Sequence, residues 1–162
     1  MTLRAVIVDD DKTNIKLVRN LIDRYSNDIQ VVGEATNLLD AVEILGKLKP
    51  DLVFLDIELH NKTGFDVLDL VRQESLHVVI ISAHEQYAIK AFKYETVDYL
   101  LKPIEIEEFV RMLHSVKKRI QGVASVPKTE REFLAVPTKT YIELVAFKQI
   151  IYLGSADFFE ID

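Results

Sequence analysis

Apolar residues come along most of this chain in two alternating rhythms. Ala5-Val6-Ile7-Val8 is a short run without a polar interruption, as a strand covered on both faces requires. Ile15, Val18, Leu21, Ile22 and Tyr25 then recur at helical spacing. Ile29–Gly33 is a second strand candidate. Asn37 is placed to cap a helix carrying Leu38, Ala41, Leu45 and Leu48, with Asp40 in its first turn and Pro50 beyond its end. Leu52–Leu55 reads as a third strand, and Phe65, Leu68 and Val71 mark a helix begun near Gly64. His77–Ser82 reads as a fourth strand, Ala88, Ala91 and Phe92 as a short helix, and Val97–Leu101 as a fifth strand. Ile106, Phe109, Val110, Leu113, Val116 and Ile120 give the clearest amphipathic helix. Five nearly all-apolar strands separated by helices predict an α/β domain, a parallel sheet with helices on both faces.

The rhythm stops after Ile120. The stretch from Gln121 to Thr129 carries Gly, Ser and Pro without periodicity, and residues 122–131 are expected to form a linker. From there the pattern is strand-like: Phe133–Val136, Tyr141–Phe147 and Gln149–Leu153, with a turn expected at Pro137–Thr140. The expected organisation is a domain over 1–121, the linker, and a β-rich segment over 132–162 too short to bury a core alone.

Composition narrows the function classes. The formal net charge of −6 gives the whole chain no general attraction for nucleic acid or anionic lipid. Residues 122–162 hold four basic residues (Lys128, Arg131, Lys139, Lys148) against six acidic ones. The absence of cysteine excludes disulfides and thiolate metal sites. No apolar run approaches the roughly 20 residues that span a bilayer, and no apolar signal region precedes the first strand. A cytoplasmic location, without membrane contact, is expected.

The candidate chemistry lies where the strands end. In a parallel sheet, ligands bind beyond the carboxyl ends of the strands. The first strand runs into Asp9, Asp10 and Asp11, and the third into Asp56; Ser82 and Lys102 also fall at strand ends. Two unit charges 4 Å apart repel by about 1 kcal/mol in water and about 4 kcal/mol at an effective dielectric near 20. A hard cation such as Mg²⁺ or Mn²⁺ relieves that cost and leaves positions for phosphate oxygens. Asp56 is a candidate carboxylate nucleophile toward phosphorus. Lys102 supplies a compact positive charge and Ser82 a hydroxyl donor. Taken singly, Asp9–Asp11 would be a solvated turn and helix cap, Lys102 a surface lysine, and Tyr99 core.

The set Val8-Asp9-Asp10-Asp11, Leu55-Asp56-Ile57, Gly64, Ile81-Ser82-Ala83 and Asp98-Tyr99-Leu100-Leu101-Lys102-Pro103 resembles the receiver domains of two-component response regulators, over roughly residues 3–121. The resemblance implies a flavodoxin-like sheet of order 2-1-3-4-5. It implies Asp56 as the acceptor of phosphate from a sensor histidine kinase. The metal would be held by Asp10, Asp56 and the backbone carbonyl of Glu58, with Asp9 acting through water. Lys102 and Ser82 would bind phosphate, and Ser82 with Tyr99 would form a switch in which the tyrosine moves inward. Lys102–Pro103 would be cis. It further implies a homodimer through the fourth helix, fifth strand and fifth helix, and no catalysis beyond the protein's own phosphorylation and dephosphorylation. Two departures stand out: similar regulators often carry proline where His60 stands, and glutamate is commoner than Asp11. The segment Ala91–Pro103 and the strands after Phe133 look most like regulators with a LytTR-type DNA-binding domain, whose opening strands alone would be present. DNA contact would then need the complete output domain and end in transcriptional control.

Three alternatives remain on the sequence alone. A phosphohydrolase with an aspartyl-phosphate intermediate would use Glu58 as general acid. A flavin or nucleotide module would need a Gly-rich phosphate loop where the first strand instead ends in aspartates. A phosphorylation-independent interaction module would not need Lys102, Ser82 and the acids together. His60, His77, His84 and His114 show no metal-ligand spacing. His84 reads either as pocket rim, where it would tune phosphate lifetime, or as plain surface.

Overall fold

The computed structural model describes residues 2–71, 73, 75–120, 133–137 and 142–146. Its elements in chain order are β1 (Leu3–Val8), α1 (Lys12–Tyr25), β2 (Ile29–Ala35), α2 (Leu38–Leu48), β3 (Leu52–Asp56), β4 (Glu58–Leu59), β5 (Lys62–Thr63), α3 (Gly64–Leu70), β6 (His77–Ser82), α4 (Ala88–Phe92), β7 (Asp98–Leu101), α5 (Ile106–Ile120), β8 (Phe133–Pro137) and β9 (Ile142–Ala146). A 3₁₀ turn, Glu85–Tyr87, leads into α4.

The main sheet is parallel, in the order β2-β1-β3-β6-β7. Set aside the β4–β5 hairpin and this is the flavodoxin-like order 2-1-3-4-5. The central strands β1, β3 and β6 are largely apolar because each face meets helices. Ala5, Ile7, Leu52, Phe54, Val79, Ile81 and Leu100 pack with Ile15, Val18 and Ile22 of α1 and Phe109, Met112 and Val116 of α5. The alternate residues Val6, Val8, Val53, Leu55, Val78 and Ile80 face the other way, onto Ala41 and Leu45 of α2, Phe65 and Val67 of α3, and Ala88 and Ala91 of α4. Each such aliphatic side chain contributes about 1.5–3 kcal/mol through burial.

Helix ends follow local chemistry. Asp11 caps α1, its side chain accepting from the Thr13 N–H at 2.7 Å. Asn37 accepts from the Asp40 N–H at 3.0 Å, and Asp40 accepts in return from the Asn37 amide at 2.7 Å. Thr63 and Asp66 form a reciprocal capping box at the start of α3. Both partners of that box are acceptors for backbone N–H groups that the first helical turn leaves open.

Several boundaries differ from the sequence expectation by a residue or two. β2 extends to Ala35 because its ladder with β1 continues past Gly33, pairing Glu34 with Ile7 and Ala35 with Val8. As the outermost strand it exposes Glu34, so the apolar pattern stopped too soon. Val97 precedes β7, although its N–H still donates to the Val78 carbonyl. Pro137 ends β8 instead of opening a turn. β8 and β9 pair antiparallel, Phe133 with Ala146 through Pro137 with Ile142. The expected linker at 122–131, the turn at 138–140 and the strand Gln149–Leu153 lie outside the described residues. Among the described residues no helix is long and apolar enough to cross a membrane.

Candidate phosphoryl-acceptor site

β1 and β3 lie side by side with Val8 level with Leu55, so the next residues, Asp9 and Asp56, emerge together. Asp9 and Asp56 are each only 4% exposed, and Asp10 is half-buried. One carboxylate oxygen from each of Asp9, Asp10 and Asp56 lies within 4.8 Å of the others. Asp11 is exposed and spent on the α1 cap, and it stands apart from this group.

Lys102 follows β7 and reaches across β6 to the acids. Its Nζ donates to Asp9 Oδ2 at 2.9 Å and to Asp56 Oδ2 at 2.5 Å. Its backbone N–H donates to the Ser82 carbonyl at 2.8 Å, and the Lys102–Pro103 bond is cis. The Glu58 N–H donates to Asp56 Oδ1 at 3.1 Å. The Asp9 carboxylate is held further by the Asp11 N–H at 2.9 Å and by the Asn14 amide at 3.2 Å.

The charges do not balance. Burial is the main influence on Asp56 and pushes its pKa above the usual carboxylate value; the Lys102 ammonium and the Glu58 N–H oppose this, and the Asp9 charge adds to it. Burial alone would lower the Lys102 pKa, but hydrogen bonds and charge from Asp56 and Asp9 outweigh it and hold the ammonium above its usual value. Lysine therefore stays charged, one cation bonded to two of the three acids. An all-oxygen, acid-rich donor set with surplus negative charge fits a hard divalent cation.

Ser82 ends β6 fully buried, and its Oγ accepts the His84 N–H at 3.2 Å. Tyr99, on neighbouring β7, is 4% exposed and donates its hydroxyl to the His84 carbonyl at 2.5 Å. Burial raises its pKa to about 12, with the Ser82 hydroxyl pulling the other way. In this conformation the Tyr99 ring is on the inside.

All seven residues singled out from the sequence, Asp9, Asp10, Asp56, Glu58, Ser82, Tyr99 and Lys102, thus gather at one end of the sheet. Sequence reasoning missed several of the contacts here, although it offered the pocket rim as one reading of His84. Asn14 gave no signal, since its bond to Asp9 depends on how α1 starts. His60, treated as a departure in a loop, bonds Asp10. The His84 imidazole meets Glu58 Oε1 at 2.9 Å across the mouth of the site. The Thr63–Asp66 box was visible as Thr-x-x-Asp before an apolar run.

A five-stranded parallel sheet with an acid cluster, a lysine and a hydroxyl at its carboxyl end defines a receiver. The chain belongs to the response regulator receiver domain family, which it matches over residues 5–114. It is a response regulator receiver of two-component signal transduction. It is 33% identical to the sensory transduction protein LytT of Bacillus anthracis, over 96% of this chain and 67% of LytT. It is also 33% identical to the transcriptional regulatory protein BtsR of Salmonella typhi, over 94% of this chain and 66% of BtsR. The chain thus spans about two-thirds of these relatives. Among solved structures, the response regulatory domain of mrkE from Klebsiella pneumoniae superposes with a TM-score of 0.69 at 26% identity, covering 74% of this chain and 99% of that domain.

Proposed function

We propose that Asp56 accepts a phosphoryl group from the phosphohistidine of a sensor kinase, in a reaction that needs Mg²⁺ or Mn²⁺. The observation that carries this reading is the convergence of Asp9, Asp10 and Asp56 within 4.8 Å, with Lys102 bonded to two of them. An Asp56 oxygen attacks phosphorus, the P–N bond breaks, and the leaving imidazole takes up a proton. Lys102 then shifts its donors from carboxylate to phosphate oxygens, and Ser82 donates to another. Asp10, Asp56 and the Glu58 carbonyl would hold the cation, with Asp9 contacting it through water. When bound, the cation neutralises charge on the phosphoryl oxygens. Loss of the phosphate is attack of water on phosphorus at the same site, which breaks the new Asp56 O–P bond and releases inorganic phosphate.

The output reading rests on the chain from Ser82 to Tyr99. Ser82 Oγ holds the His84 N–H and Tyr99 holds the His84 carbonyl, so drawing Ser82 toward phosphate pulls on the segment leading into α4. Since Tyr99 is already inside, the switch works by tightening this arrangement instead of by a large swing of the ring. The face formed by α4, β7 and α5 then changes affinity for a partner, including a second copy of the chain. Domain organisation is proposed as receiver 1–121, linker 122–131, and a β-rich output segment from 132 that begins a LytTR-type DNA-binding domain. Its output would be transcription, in the cytoplasm, through the complete domain.

A phosphohydrolase would need Glu58 free as a general acid, but its carboxylate is engaged by His84. Incubating the chain with a small phosphodonor and Mg²⁺ tests the reading. One phosphate is expected on the wild type, measured by intact mass, and none on Asp56→Asn. Equal labelling of both would end it.

A further inference from the structure

Among the described residues, three outside glycine have a left-handed backbone: Lys49, His60 and Glu95. Lys49 ends α2 and Glu95 follows α4, where such a conformation is ordinary. His60 ends no helix. It sits in the turn of the β4–β5 hairpin, immediately beyond the phosphoacceptor segment, with φ 53°. A two-residue hairpin turn favours such a φ at its first position, and the turn thereby fixes how His60 is aimed.

The constraint is visible in what it aims. The His60 N–H and the imidazole Nδ1 both point at one atom, Asp10 Oδ2, at 3.3 and 2.7 Å. A carboxylate only accepts, so Nδ1 carries the proton of this bond. Among the described residues, the hydrogen bonds to the Asp10 carboxylate come from His60. Asp9 and Asp56, by contrast, are held by Lys102 and by backbone N–H groups. Asp10 is also the most exposed of the three, at 28% of its side chain against 6% and 4%. Without His60 it is the one acid of the cluster free to turn away. A proline in this place could neither take a positive φ nor donate an N–H.

We infer that His60 is a positioning residue for the cation site: it holds one oxygen of Asp10 so that the other is offered to the metal. This inference rests on the proposed metal role of Asp10. Removing an outer partner of a metal ligand weakens metal binding by about 10–100-fold in known sites.

The test is Mg²⁺ titration of the whole chain, by calorimetry and by the rise in melting temperature. His60→Gly retains the N–H and adopts the positive φ freely, but loses the ring. Its Kd for Mg²⁺ should rise by about 10-fold or more. His60→Ala should weaken binding likewise. His60→Asn places an amide nitrogen where Nδ1 stands and tolerates the left-handed backbone, so it should recover most of the affinity. Unchanged Kd in both the glycine and alanine variants would overturn the inference, even if their metal-free melting temperatures fell, because His60 would then be only structural. Tighter binding would also overturn it, since His60 would be competing with the metal. A wild type that takes up no Mg²⁺ would instead remove the cation reading itself, and His60's role with it.

Discussion

Gly64 backs directly onto the main chain of Asp56. Its N–H donates to the Ile57 carbonyl at 2.8 Å. A Cβ on Gly64 would overlap the Asp56 carbonyl oxygen and stand 3.0 Å from Leu55 Cγ. The obstacle is backbone, so it cannot yield by a rotamer change. Gly64→Ala should therefore cost about 1–3 kcal/mol, the range for overpacking a tight site, read from denaturant unfolding. It should also slow labelling of Asp56 by a phosphodonor, because relief of the clash moves the Asp56 carboxylate. Wild-type stability and labelling would show that the segment after Asp56 is freer than its packing implies.

Lys102 is the counter-charge for two buried carboxylates. Lys102→Ala should destabilise the metal-free protein by about 2 kcal/mol, less than the loss of a fully buried partner because part of the lysine side chain reaches solvent. Added Mg²⁺ should recover more stability in this variant than in the wild type. Thermal melts with and without Mg²⁺ check both effects.

Mg²⁺ should raise the wild-type melting temperature, since binding to the folded state alone adds about 2.7 kcal/mol at one hundred times Kd. Asp10→Asn should raise stability without metal, by relieving repulsion from Asp9 and Asp56, and should abolish the metal response. No shift in the wild type would count heavily against the site.

Asp98 opens β7 almost fully buried, at the far end of that strand from Lys102. Burial raises its pKa; the Arg111 charge and the Tyr99 N–H oppose this, and the Glu108 charge adds to it. The folded state thus holds this proton more tightly than the unfolded chain. Below the unfolded pKa, about 3.9, both states are protonated and the group costs nothing. As pH rises from there through the folded pKa, its contribution to stability is lost. Asp98→Asn, which cannot titrate, should gain stability relative to the wild type between pH 4 and pH 7. A difference in melting temperature that stays flat over this range would contradict the assignment.

The parts of the fold legible from sequence are those fixed by periodic burial. β1, β3 and β6 are apolar on both faces, and α1 and α5 repeat with helical spacing, so composition alone located them. The acids and Lys102 were legible for the same reason, as charges at the ends of apolar runs. The β4–β5 hairpin was not: its strands are two residues each, too short to carry a pattern. The far end of β2 was hidden because an outer strand tolerates Gly33 and Glu34. His60 and Asn14 were invisible as partners, since residues 50 and 5 positions from their acids meet them only once the sheet and α1 are assembled. Tyr99 taken alone in a strand reads as core, and only the resemblance to receivers suggested a switch role for it.

The level pairing of Val8 with Leu55 means that the distance between the two innermost carboxylates is metered by a backbone ladder and not by any loop. Loops joining these strands can lengthen, shorten or change character and the spacing will hold. Deleting one residue inside β3 would instead swing Asp56 to the opposite side of the sheet. The surface loops are thereby free to vary, while the acid cluster tolerates almost no change in the length of the two threads that carry it.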